Sequence, residues 1–305
     1  MAKVLSFLSA RKAASAPADI AGMLDGFSLE VMPRTAEKIE DFRAILPEGT
    51  RIYIAHIDGT PIEEMVATAK RLRDEGFPVM PHIPARSVPS RAALGEWIAA
   101  YREAGVDQAL VLAGGAPEAR GEFTDSMQMM ATGLFDGLRR IHVAGHPEGS
   151  RDIDVDGSGR RAMQALRWKQ DWAREAGVEM AIATQFCFEA KPVIEWADRL
   201  RAEGITLPVH IGVAGPAKLQ TLVKFALTCG VGPSVRVLQK RAADVTKLIL
   251  PFTPEEFLAD LAAHRAAHPD FAVTNVHFFP LGGIGKTAEF TDEFGRGGRR
   301  LAATA

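Results

Sequence analysis

The chain alternates two kinds of apolar pattern. Short runs rich in β-branched and aromatic residues read as buried strands: Phe27–Met32, Arg51–Ile57, Val79–Pro84, Gln108–Gly114, Arg140–His146, Met180–Phe188, Val209–Ala214 and Val273–Leu281. Between them lie longer stretches with helical spacing, such as Ile62, Met65, Val66, Ala69 and Leu72 within Ile62–Glu75. That pattern stops at Gly76; those over Leu94–Ala104, Met163–Ala176 and Val193–Glu203 stop at Gly105, Gly177 and Gly204. A strand-like run follows each stop within a few residues. Helix, glycine, turn and buried strand, repeated, predict βα units around a parallel sheet. Eight strands in a chain of 305 residues predict an α/β fold of the (β/α)8 TIM-barrel type, with an open doubly wound sheet as the alternative. Extra helical material, Val235–Leu250 and Phe257–His268, precedes the last strand. No Pro/Ser/Gly linker divides the chain, so residues 1–305 form one domain, with 1–24 as an N-terminal arm and 290–305 as a flexible tail.

Composition narrows the function classes. With 47% hydrophobic and 24% charged residues and a net charge of −2, the chain carries no field that attracts nucleic acid or an anionic membrane. Two cysteines, Cys187 and Cys229, build neither a disulfide framework nor a metal cluster, which fits a reducing cytoplasm. No apolar run reaches the roughly 18 residues of a membrane span. The N-terminus is mildly basic with a short apolar run and reads as an arm, a transit peptide being the lesser alternative. The Gly/Arg stretch at Gly295–Arg300 reads as part of the tail, not as a binding site.

In a barrel of this kind catalytic groups gather at the C-terminal ends of the strands. Those ends carry Glu30, His56 and Asp58, His82, the turn Ala113-Gly114-Gly115-Ala116, His146-Pro147-Glu148, Thr184-Gln185, and His277 ahead of Gly282-Gly283. Gln185 lies between a threonine and two phenylalanines, a way to grip a flat heteroaromatic ligand by hydrogen bonds and stacking. Glu30 stands among Leu29, Val31 and Met32; burial there predicts a raised pKa and a neutral proton donor, the alternative being a salt bridge to an arginine. The histidines lack the companions a metal centre needs, so none is expected. Gly282-Gly283-Ile284-Gly285-Lys286-Thr287 fails the P-loop spacing, which requires glycine where Pro280 stands. Neither cysteine has a basic neighbour to activate it, and no Gly-x-Ser-x-Gly elbow occurs.

From about residue 25 to 285 the chain resembles the methylenetetrahydrofolate reductase family, flavin-dependent barrel enzymes. Phe27-Ser28-Leu29-Glu30-Val31-Met32-Pro33 is similar to the first-strand motif whose glutamate protonates N5 of the folate, which implies that role for Glu30. Thr184-Gln185-Phe186 matches the Thr-Gln-Phe whose glutamine binds the pterin; the likeness implies a substrate site of Gln185, Thr184 and Leu219, the last where the family has a stacking phenylalanine. Pro81-His82, Ala144-Gly145-His146-Pro147-Glu148 and Val276-His277-Phe278-Phe279 are similar to further family segments. The resemblance implies a cofactor site of His82, Leu112, Ala113, Gly114, Gly115, Ser126, His146 and Lys169.

The likeness implies interconversion of 5,10-methylene- and 5-methyltetrahydrofolate, with FAD as cofactor and NAD(P)H as co-substrate. It also implies a small-molecule folate partner and leaves a homo-oligomer open. Two departures stand out. The family's fourth strand ends Arg-Gly-Asp where this chain has Ala113, Gly114 and Gly115, and its second-strand threonine is Ala55. The missing charge motivates an alternative, direct hydride transfer from NADH without flavin. A barrel methyltransferase and a non-catalytic folate- or flavin-binding protein are further readings.

Overall fold

The computed structural model describes residues 20–228 and 251–302. Eight parallel strands close into a barrel in sequence order, β1 (Ser28–Val31), β2 (Arg51–Ile54), β3 (Val79–Pro84), β4 (Gln108–Leu112), β5 (Arg140–Gly145), β6 (Glu179–Cys187), β7 (Val209–Ala214) and β8 (Val273–Phe279). The ring closes where β1 pairs with β8 through Ser28↔His277 and Leu29↔Phe278. This is the (β/α)8 barrel expected from the alternating pattern.

Both faces of each strand are buried, which is why the strands read as nearly continuous apolar runs. The outward positions, among them Leu29, Ile52, Ile54, Ile83, Val111, Ile141, Val143, Ile211 and Phe278, form the main core against the helices. The inward positions are different. Barrels of this type fill their interior mostly with branched aliphatic side chains. Here Tyr53, Met80, Leu110 and Ala183 share it with buried Ser28, Gln108, His142, His210 and His277. At the base, Arg51 Nε donates to Gln108 Oε1 (2.9 Å), and Arg140 pairs with Glu179.

The helices follow their strands as expected; the one expected from Ile62 starts there, and those expected from Leu94, Met163, Val193 and Phe257 start two or three residues earlier. They are α1 (Ile20–Leu24), α2 (Pro33–Ala36), α3 (Ile62–Asp74), α4 (Arg91–Glu103), α5 (Ser126–Met130), α6 (Arg160–Ala176), α7 (Ala190–Ala202), α8 (Leu219–Thr228), α9 (Glu255–Ala267) and α10 (Ile284–Ala302). Ser90 caps α4, its hydroxyl accepting from the Ala93 N–H (3.1 Å), so the helix starts at the cap and not at the first apolar residue. Gly76, Gly105, Gly177 and Gly204 all stop helices with φ between 66° and 94°, a conformation glycine adopts at little cost.

The first and last described helices, α1 and α10, pack against each other. Met23 in α1 is fully buried, and α10 carries buried Phe290 against Phe278 (ring centroids 6.1 Å). The tail expected from residue 290 is therefore helix at its start, because Phe290 and Thr291 are needed as core. Lys286-Thr287 lies in the first turn of the same helix, where Thr287 is buried and its hydroxyl donates to the Gly283 carbonyl (3.3 Å). Residues 1–19, Cys229 and the expected helix Val235–Leu250 lie outside the described residues. No described helix is long and apolar enough to cross a membrane.

Candidate functional site

The C-terminal mouth of the barrel brings Glu30 (β1), His82 (β3) and His277 (β8) together. His82 Nε2 lies 3.1 Å from Glu30 Oε2 and His277 Nε2 lies 3.9 Å from the same oxygen. The His82 approach has ion-pair distance without the alignment of a directed hydrogen bond, and that ring nitrogen is otherwise buried without a partner. Ser28 Oγ meets His277 Nδ1 at 3.0 Å and fixes the ring from behind. Tyr53 forms the floor beneath both imidazoles, its ring centroid 4.2 Å from His277 and 6.3 Å, edge-on, from His82.

Electrostatics corrects the expectation for Glu30. Burial pushes its carboxyl up, as the sequence argument held, but the His82 charge and the contacts with His277 together outweigh burial and bring the pKa from 4.5 down to about 2. Glu30 is a carboxylate in the free protein, and its partners are imidazoles instead of an arginine. Burial lowers the pKa of His277, against the pull of Glu30. Below this layer Tyr53 OH and His142 Nδ1 are 2.5 Å apart, and the His142 ring meets His210 edge-on at 4.6 Å. Burial lowers His142 well below the ordinary histidine range and His210 to about 3, so both are neutral.

The sequence reading missed the inner groups Ser28, Tyr53, His142 and His210. Their signal was present: His142 stands between Ile141 and Val143, and His210 between Val209 and Ile211, each a polar residue at an inward position of a strand buried on both faces.

Thr184-Gln185 lies where β6 slips register against β7, between Ala183 and Phe186. Thr184 Oγ1 donates to the Gln185 carbonyl (2.8 Å) and accepts from the Gly212 N–H (2.8 Å). Its hydroxyl is thus committed to the backbone of the bulge, and Thr184 shapes the site through Gln185 instead of facing a ligand. A Cβ on Gly212 would sit 2.5 Å from the Thr184 and Gln185 carbonyl oxygens, so only glycine fits there. Gln185 is half-buried beside an apolar pad made of Phe186, Phe188, Leu219, Leu222 and Phe252. Phe186 packs edge-on against Phe188 (5.7 Å) and Phe279 (5.6 Å). Leu219 joins this pad, as the substrate reading requires of it.

The remaining residues expected at a cofactor site lie at the ends of β4 and β5 and on α5 and α6. Leu112 caps the interior cluster. The Arg86 N–H donates to the Ala113 carbonyl (2.9 Å), which pins the turn. Gly114 has φ 93° and Pro84 would lie 2.9 Å from a Cβ on it, whereas nothing lies within 4 Å of one on Gly115. Ser126 is buried at the start of α5 beside Asp125. Lys169 is 7% exposed; burial lowers its pKa to about 8 against the pull of Asp125. Burial, then the Lys169 charge, lowers His146 to about 4. Lys169 is thus a buried amine within electrostatic reach of Asp125 and His146. Cys187 is buried with a strongly raised pKa and is chemically quiet. Among the described residues no group of three or more His, Cys, Asp or Glu side chains is placed to hold a metal ion.

No protein-family model matches the sequence. Among solved structures the chain is similar to an uncharacterized protein from Clostridium thermocellum that binds two copies of 5-methyl-5,6,7,8-tetrahydrofolic acid. The identity is 11% and the TM-score 0.58, over 93% of this chain and 98% of that one. Dihydropteroate synthase from Thermus thermophilus aligns at 14% identity and TM-score 0.41, over 87% and 90% of the two chains. A phosphonomutase-like protein from Burkholderia cenocepacia aligns at 11% and 0.46, over 93% and 97%. At these identities the likeness concerns the fold: the chain is a (β/α)8 barrel that shares its architecture, nearly end to end, with a folate-binding protein.

Proposed function

We propose that the chain is an oxidoreductase interconverting 5,10-methylene- and 5-methyltetrahydrofolate. The observation that carries the reading is Glu30, a half-buried carboxylate at the barrel mouth held by two imidazoles, on the same rim as Gln185 and its aromatic pad. The methyltetrahydrofolate bound by the Clostridium thermocellum barrel supports the ligand class. Gln185 holds the pterin edge and the pad of Phe186, Phe188 and Leu219 flanks it. The reaction turns the N5–CH2–N10 bridge into an N5-methyl group: a hydride adds to the bridge carbon, the carbon–N10 bond breaks, and one proton is taken up and remains on N10. Glu30 supplies that proton at the bridge, and in the oxidative direction its carboxylate receives it.

Lys169 and Ser126 would hold the phosphates of FAD and Gly114-Gly115 would allow close approach of its ring, and bound FAD would supply the hydride obtained from NAD(P)H. Because no charge stands at Gly115, direct transfer from NADH is the second reading. One experiment separates them: purified protein, with and without added FAD, titrated anaerobically with 5-methyltetrahydrofolate. Bleaching of a flavin band is expected. Folate turnover with NADH and no flavin band selects the second reading, and binding without turnover overturns both.

A further inference from the structure

The role of Glu30 leaves a gap. A group that donates a proton must hold one, yet the free site keeps Glu30 ionised. The group closest to filling that gap is His82, whose Nε2 stands 3.1 Å from Glu30 Oε2 and has no other partner. The likeness to known enzymes implies a cofactor contact for this residue, but the geometry turns it toward the carboxylate. His277 is less suited to the role, being almost fully buried, 3.9 Å away, and tied through Nδ1 to Ser28. His82 stands nearer the mouth, its side chain 12% exposed, beside a Glu30 side chain that is 18% exposed and can pass it a proton from water between turnovers. Several titratable and charged groups act on this pair. Glu30 is acted on by His82 and His277, His277 feels Arg51 from β2, and His56 at the end of β2 is coupled to His82. Tyr53, beneath both rings, keeps its proton.

We propose that His82 is the proton store for Glu30: the empty site holds an imidazolium–carboxylate pair, and the proton passes from His82 Nε2 to Glu30 Oε2 as Glu30 delivers one to the ligand. The proposal rests on the folate reading for its ligand. One proton leaves the His82 nitrogen, one arrives on the folate bridge, Glu30 ends as it began, and no electrons move. When product leaves, Glu30 at the open mouth takes a proton from water and returns it to His82 Nε2. In the oxidative direction the same path runs backwards and His82 ends charged. His82 thus acts through Glu30, and His277, held by Ser28 and Tyr53, fixes the carboxylate's position.

The test has two arms on the full chain. Nitrogen-15 spectra of histidine-labelled protein at pH 7 should show the His82 ring protonated on both nitrogens, and neutral in Glu30→Gln. In turnover, His82→Gln should slow folate conversion about 10²-fold with FAD affinity unchanged, and added imidazole should restore part of the rate to His82→Ala. The proposal is overturned if His82 is neutral at pH 7 in the wild type, or if His82→Gln turns over normally. It also fails if His82→Gln alters FAD affinity while leaving the pH–rate profile in place, the mark of a cofactor contact. Should the wild type not convert folate at all, the reading of the ligand fails, and the spectra alone still decide the pair.

Discussion

A carboxylate braced by two imidazoles responds differently to substitution than a lone buried acid. Glu30→Gln keeps the shape of the side chain and removes its charge, so the barrel should fold while folate turnover falls by about 10²–10⁴, the usual range for lost acid–base catalysis. Reduction of bound FAD by NADH should proceed at the wild-type rate, because nothing in that half-reaction uses the carboxylate; stopped-flow measurement of each half-reaction checks both statements. Glu30 itself was legible in the sequence as a charged residue on an apolar strand. Its ionisation was not, since the imidazoles that set it lie 52 and 247 positions further along the chain. Burial is a local property that a strand pattern reveals, while a charge partner is a tertiary one.

At the scale of elements, the bulge in β6 shows where pattern reading reaches its limit. Strand positions emerged to within about two or three residues because burial on both faces leaves a strong apolar signal, and helix ends followed from glycines that must take positive φ. The register slip between Ala183 and Phe186 has no such mark, since it depends on Gly212 from the neighbouring strand and on the Thr184 hydroxyl. Thr184→Val removes that hydroxyl at nearly constant volume and leaves the buried Gly212 N–H without its acceptor. The expected cost is about 1–3 kcal/mol of stability by urea denaturation, with weaker folate binding as Gln185 shifts, and Thr184→Ser should recover most of both.

The whole molecule carries an acid sensitivity in its interior. His146 and His210 titrate at about 4 and about 3 in the fold against 6.5 when exposed, and His142 and His277 are lowered as well. As pH falls below 6.5 the unfolded chain takes up these protons and the native barrel refuses them, so stability drops through that window by about 1.4 kcal/mol per pH unit for each such histidine. Glu30 adds to the loss at lower pH, from 4.5 toward 2, because its carboxylate is the form the fold prefers. Urea midpoints measured from pH 7.5 to 4.5 should fall steeply below 6.5, and His210→Asn should flatten the slope by one proton. The closure of the ring has a consequence of another kind. Glu30 sits on the first strand and His277 on the last, on either side of the pairing that joins them. During synthesis the first seven strands emerge with this carboxylate still lacking one of its imidazoles. The cluster of Glu30, His82 and His277 is completed by the final strand to dock, so the proposed activity would appear only once β8 is in place.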